Sequence, residues 1–355
     1  MFARAMVSPS QPILAHLIPI RRCNLACTYC NEFDAVSPPV PLETLQARID
    51  KLAELGVAII TLSGGEPLLH PQLEAIIAHI RRRGSIAGLI TNGYLLNPRK
   101  IELLNRAGLD YLQISIDNLE PDEVSKKSLR VLDRRLRWLA ELAEFSVSVN
   151  TVLGSALSSP EDALTIARRA RQLGLASTVG FLHDHNGQSL GSTARIREVY
   201  LEILRLGAPL FSFTHYDRFQ RNIAQGRPNR WHCRAGGRYL YICEDGRVHW
   251  CSQQRGRPGI PLERYTRQDL EIQAAIPKSC APYCTVSCVH QVAMLDALRE
   301  EPRRTLDEML RSRREIDPAF RPPWMLTALE WMFLSGAARR AFHQLARFVF
   351  GLPRR

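Results

Sequence analysis

Short apolar runs alternate along the first half of the chain with stretches whose apolar positions recur at helical spacing. The runs at 13–20, 58–63, 87–91, 111–116, 147–153 and 176–181 predict six strands. Between them, 42–55, 71–83, 98–107, 128–145 and 160–173 predict helices. Gly56, Gly84, Gly108 and Gly174 follow four of these helices, where a left-handed cap belongs. Strands that read as near-continuous apolar runs suit a sheet covered on both faces. Six strands with intervening helices imply a parallel α/β sheet, either doubly wound or a partial barrel. Both arrangements gather ligands at the carboxyl ends of the strands.

Past residue 183 the alternation stops. His183-Asp184-His185-Asn186-Gly187 reads as a loop, 193–206 as a helix and 214–230 as a polar connector. A hairpin is predicted from 238–243 and 247–250 around Glu244-Asp245-Gly246, an Asp-Gly turn. After 291 the chain is helical and amphipathic. The division expected is therefore a core at 13–183, a connector at 184–230, an extension at 231–290 and a helical C-terminal segment at 291–355.

Composition narrows the class. The 355 residues are 45% apolar and 23% charged, the profile of a globular chain. No apolar stretch reaches the roughly 20 residues of a bilayer span, and the first apolar run ends in Arg21-Arg22, so no signal peptide is expected. The net charge of +12 comes from 47 basic residues, only five of them Lys (51, 100, 126, 127 and 278). A basic surface favours anionic partners without choosing among them. No nucleic acid partner is expected, and the expected location is cytoplasmic, with peripheral membrane association.

The nine cysteines carry the chemistry. They stand at 23, 27 and 30, and then at 233, 243, 251, 280, 284 and 288. An odd number in tight groups fits metal ligation better than a disulfide framework. Cys23, Cys27 and Cys30 follow the first strand directly. Spaced by three and then two residues, they let three thiolates face a [4Fe–4S] cluster, leaving one iron open to a ligand. Zinc or a structural role are the alternatives, although no His follows before His70.

This C-x3-C-x2-C loop, with Tyr29 before its last Cys, resembles the radical S-adenosylmethionine superfamily. Ser63-Gly64-Gly65-Glu66-Pro67 at the second strand's end resembles that family's GGEP motif, and Thr91-Asn92-Gly93 and Ser115-Ile116-Asp117 end the next two strands. The resemblance covers 13–181. It implies a partial (β/α)6 TIM-type barrel, S-adenosylmethionine as cofactor and an external electron donor of flavodoxin or ferredoxin type. It also implies an enzyme of oxidoreductase or transferase type that makes a 5′-deoxyadenosyl radical. Residues expected at the cofactor are Tyr29, Gly64, Gly65, Glu66, Pro67, Thr91, Ser115 and Asn150.

Cys233-x12-Gly246-x4-Cys251 resembles the SPASM or Twitch extension that holds an auxiliary iron–sulfur cluster. One such cluster is expected, on Cys233, Cys251, Cys284 and Cys288, with Cys280 competing for the fourth place. Cys243 reads as structural, and His232, His249 and His290 as outside the ligand set. Four thiolates suit zinc equally well. More loosely, Trp231-His232-Cys233 and the sequence from Cys284 to Cys288 resemble enzymes that adenosylate hopanoid lipids.

The apolar stretch 324–338, with Trp324 and Trp331, precedes Arg339, Arg340, Arg347, Arg354 and Arg355, a mixture suited to an anionic headgroup boundary. A helix that caps the barrel or forms a dimer contact is the alternative for this stretch; the substrate is unidentified, with a lipid or isoprenoid as the leading expectation. Modification of a ribosomally made peptide is the alternative, weakened by the dozen residues before the first strand. A non-catalytic zinc protein binding nucleic acid or membrane is the alternative of another class.

Overall fold

The computed structural model describes residues 5, 8–154, 159–184, 191–206 and 218–321. Six parallel strands form its centre: β1 (Leu14–Ile20), β2 (Ile59–Gly64), β3 (Ile86–Thr91), β4 (Tyr111–Ser115), β5 (Ser146–Leu153) and β6 (Ala176–Phe181). Between successive strands run α1 (Leu42–Leu55), α2 (Leu73–Arg82), α3 (Pro98–Ala107), α4 (Leu129–Leu142) and α5 (Pro160–Gln172). All six predicted strands and five predicted helices are present, with no end moved by more than three residues. Gly56, Gly84, Gly108 and Gly174 take the positive φ that helix caps favour.

The strands lie in sequential order from β1 to β6. With right-handed crossovers and no reversal of order, every helix falls on one face of the sheet. That excludes the doubly wound arrangement and gives the partial (β/α)6 barrel. Ala15, Leu17, Ile60, Leu62, Leu89, Leu112 and Ile114 face the helices and pack on Ile49, Leu52, Ile76, Leu104 and Leu136. The other face is a lumen and partly polar. β4 and β5 alternate buried with half-buried or exposed residues, so the expectation of uniformly apolar strands holds for β1 but not for them.

The hairpin forms as β7 (Tyr239–Ile242) and β8 (Arg247–His249). β7 pairs in parallel with β1, so the extension prolongs the barrel sheet, and β9 (Pro258–Pro261), which sequence reasoning missed, adds a further antiparallel strand. Prolines at both ends of so short a strand hid it from a propensity reading.

The rest is helical: α6 (Ala194–Arg205), α7 (Arg218–Ala224), α8 (Arg267–Ala275), α9 (Ser287–Glu300) and α10 (Pro302–Ile316). Contacts divide the chain into units Met1–Ala293 and Met294–Arg355. In the second, α10 buries Leu306, Leu310 and Ile316. No described helix is long and apolar enough to cross a membrane. His185, Asn186, Gly187 and the stretch 322–355 lie outside the described residues.

Candidate active site

β1 runs into a loop closed at its neck: Cys23 N donates to Asp34 O at 3.0 Å and Asp34 N to Arg21 O at 3.2 Å. Within it Cys30 N donates to Cys27 O at 3.1 Å, a tight turn that folds two thiols back toward each other. Cys23, Cys27 and Cys30 line one cavity of about 230 Å³. Tyr29, Gly64, Gly65, Thr91 and Ser115 line it too, so the carboxyl ends of β2, β3 and β4 converge on the cysteine loop.

The two glycines are required by the neighbouring chain. A Cβ on Gly65 would stand 2.2 Å from the carbonyl oxygen of Arg21, and Gly64 has φ +114°. Gly65 N donates to Ile20 O and Glu66 N to Arg22 O, so this motif clasps the base of the cysteine loop. Glu66 does not line the cavity. It is fully buried, and its carboxylate accepts from Leu68 N (3.0 Å), Thr91 Oγ1 (2.7 Å) and Asn92 N (2.8 Å), lashing β2 to β3. Burial pushes its carboxyl pKa up. Pro67 opens a single 3-10 turn behind the cavity. Asn150 sits level with Ser115 on the next strand and accepts from Thr178 Oγ1.

Sequence reasoning missed a charged network beneath the cysteine loop. Asp117 Oδ2 accepts from Tyr29 OH (2.5 Å) and Ser125 Oγ (2.7 Å), with Lys127 Nζ at 3.0 Å. Ser125 Oγ also lies 3.6 Å from Cys27 Sγ, and Thr28 N donates to Val124 O. Burial alone would lower the Lys127 pKa, but Asp117 and Tyr29 outweigh it and hold the ammonium charged. One faint signal existed: Lys127 is one of five lysines in an arginine-rich chain.

Burial raises the pKa of Cys23 and pushes Cys30 up to about 11, so these thiols are neutral until something displaces their protons. Among the described residues, no three cysteine sulfurs lie within 4.8 Å of one another. That spread exceeds the grip of a single tetrahedral zinc, whose sulfurs each sit near 2.3 Å from the metal. Thiols spread around a cavity fit a larger cluster.

The second cysteine group is closed. All six pairings among Cys233, Cys251, Cys280 and Cys284 are close enough for one thiolate to raise the pKa of another. Burial is the larger cause throughout, pushing Cys233 up to about 11 and Cys251 to about 12. The sequence reading paired Cys284 with Cys288 and left Cys280 as competitor. The structure instead gathers Cys280 with the other three. A 3-10 turn, Ala281–Tyr283, folds Cys280 and Cys284 toward one another. Cys288 already belongs to α9, where it lies near Glu32, Tyr111 and Tyr239. Lys278 is buried beside Cys233, Cys251 and Cys280, donating to Gln273 O and standing 4.9 Å over the Trp250 ring.

Cys243, Asp245 and His249 also converge at the hairpin tip. Two of the three are engaged otherwise: Asp245 Oδ1 accepts from Arg247 N, and His249 Nδ1 accepts from Gly256 N.

A family model described as the radical SAM superfamily matches residues 17–198. The chain belongs to this superfamily. Its members carry a [4Fe–4S] cluster and use S-adenosylmethionine. Over 115 residues the chain is 38% identical to the PqqA peptide cyclase of Gluconobacter oxydans, a match covering 32% of each protein. It is 31% identical over 147 residues to the GTP 3′,8-cyclase of Chlorobaculum tepidum, covering 39% of this chain and 44% of that one. The chain thus spans between about a third and less than half of these relatives' length. The fold resembles that of Streptococcus suis SuiB bound to its precursor peptide SuiA, with TM-score 0.60 and 14% identity over 84% of this chain and 75% of that one.

Proposed function

We propose that this chain is a radical S-adenosylmethionine enzyme acting on a peptide. The observation that carries the reading is the convergence of Cys23, Cys27 and Cys30 on a cavity shared with Gly64, Thr91 and Ser115. When bound, the cluster supplies one electron to the sulfonium of S-adenosylmethionine, releasing methionine and a 5′-deoxyadenosyl radical. Cys23, Cys27 and Cys30 would hold that cluster, and three protein thiolates would leave it able to take the cofactor as a further ligand. Ser115 lines the cavity as a hydrogen-bonding group, Thr91 lines it with its hydroxyl already donated to Glu66, and Glu66, Pro67 and Asn150 support the strand ends. Tyr29, Asp117 and Lys127 keep the loop in place. Cys233, Cys251, Cys280 and Cys284 hold an auxiliary cluster, and a flavodoxin or ferredoxin supplies electrons.

The peptide reading draws on the PqqA peptide cyclase and on the fold of SuiB. It displaces the lipid expectation, whose physical support was the stretch 322–355. The test is anaerobic reconstitution followed by incubation with dithionite, S-adenosylmethionine and short peptides encoded beside this gene. The expected result is 5′-deoxyadenosine together with a peptide of altered mass. No 5′-deoxyadenosine from iron-loaded protein overturns the enzyme reading. Turnover with polyprenyl lipid and none with peptide overturns the substrate.

A further inference from the structure

Residues 252–255, immediately after Cys251, are bound to Asn31 and Glu32, immediately after Cys30. Ser252 hydrogen-bonds the Glu32 carboxyl. Asn31 Nδ2 donates to Gln253 Oε1 at 2.9 Å, and Arg255 NH2 donates to Asn31 O at 2.6 Å. Gln253 continues across the cavity: its Nε2 donates to His183 Nε2 at 3.2 Å, while His183 Nδ1 donates to Asp184 O at 2.9 Å. The two imidazole nitrogens thus have complementary roles in one tautomer. Ser252, Gln253, Asn31 and His183 all line the cavity of the three-cysteine loop. One turn of chain is therefore both the shoulder of the closed cysteine group and a wall of the open one.

We infer that this turn is a strap through which occupancy of the four-cysteine site fixes the wall of the S-adenosylmethionine cavity, with Gln253 as its positioning residue. The inference rests on the proposed function. With Cys251 anchored in a cluster, the next four residues cannot drift, and Gln253 holds the cysteine loop and the end of β6 at a fixed separation. Without that anchor the four thiols lose their common centre, and Ser252–Gln254 keeps only its hydrogen bonds. Coupling of this kind is reciprocal: filling the cavity steadies the auxiliary site equally.

The experiment measures S-adenosylmethionine affinity, by equilibrium dialysis and by the cofactor-induced change in the electron paramagnetic resonance of the reduced first cluster. It uses anaerobic, iron-loaded full-length protein. Cys280→Ala should fall from about eight irons to about four, keep the first cluster's signal, and bind the cofactor about tenfold more weakly. Gln253→Ala should keep about eight irons and weaken binding by a similar factor. The double variant should be little worse than either single one, the signature of one shared pathway. Gln253→Glu, which still accepts from Asn31 but no longer donates to His183, should fall between wild type and Gln253→Ala. Wild-type affinity in Cys280→Ala, or fully additive losses in the double variant, overturns the strap. Wild-type protein that binds no cofactor overturns the proposed function instead. Should Cys280→Ala fail to fold, the Gln253 pair alone decides, since unchanged affinity in Gln253→Ala defeats the inference.

Discussion

The two cysteine groups of this chain differ in what surrounds them. The first takes three thiols from one eight-residue loop and opens on a cavity; the second takes four from three segments, three of the thiols at most 7% exposed. An open ligand set leaves room for a reacting partner, whereas a closed one has every position taken by protein. The charged partners differ as well. Lys127 is neutralised by Asp117 beneath the open loop, while Lys278 stands beside Cys233, Cys251 and Cys280, donating to Gln273 O and lying over the Trp250 ring. Openness, rather than cysteine count alone, marks where chemistry belongs.

The largest expected effect comes from removing a ligand on the open side. Cys27→Ala should reduce 5′-deoxyadenosine production to background while the auxiliary site keeps its iron, read by product chromatography and iron analysis. Cleavage at the wild-type rate would dissolve the distinction between the two sites. On the closed side, Cys280→Ala should lose about four irons and Cys288→Ala none, for two four-iron clusters. The reverse outcome would restore the pairing suggested by sequence.

Asp117→Ala leaves the Lys127 ammonium buried without its partner and should cost about 3 kcal/mol in urea unfolding of the iron-free protein. An unchanged midpoint would mean that the loop is held by its backbone alone. Acid should also loosen the lumen. His16, stacked edge-on against Tyr239, has its pKa lowered by burial from 6.5 to about 4. The unfolded chain therefore binds more protons between those values, and stability should decline from pH 6.5 toward pH 4 by up to about 3 kcal/mol. His16→Phe should flatten that slope, measured as urea midpoint against pH. The smallest effect is electronic. Lys278→Met removes a positive charge beside the closed group and should move its midpoint potential downward in a spectroscopic redox titration, leaving the first cluster's unmoved.

Much of this was legible from residue order. The alternation of apolar runs and helical periods gave six strands and their helices, because sheet and helix burial impose different periods. Contiguity gave the first cysteine group: three thiols within eight residues can hardly avoid sharing a neighbourhood. The second group was half legible. Cys233 and Cys251 were singled out because they flank a hairpin in a C-x12-G-x4-C pattern, but Cys280 and Cys288 stand at equal spacing on either side of Cys284. Only the local path, a 3-10 turn before Cys284 and an α-helix after it, separates them. Glu66 taught the opposite lesson. Its motif drew attention to the ligand, whereas its carboxylate is occupied with Leu68, Thr91 and Asn92.

By itself the chain's order determined the strand-and-helix alternation, the places where glycine must end a helix, and the grouping of Cys23, Cys27 and Cys30 in one loop. These depend on neighbours within a few residues. Tertiary structure alone decided that β7 joins β1, that Asp117 reaches Tyr29 and Lys127, and that Gln253 meets Asn31 and His183. Those meetings link positions from about ten to more than two hundred residues apart. They are fixed by the order in which distant strands and loops assemble around one sheet, and no local periodicity encodes that order.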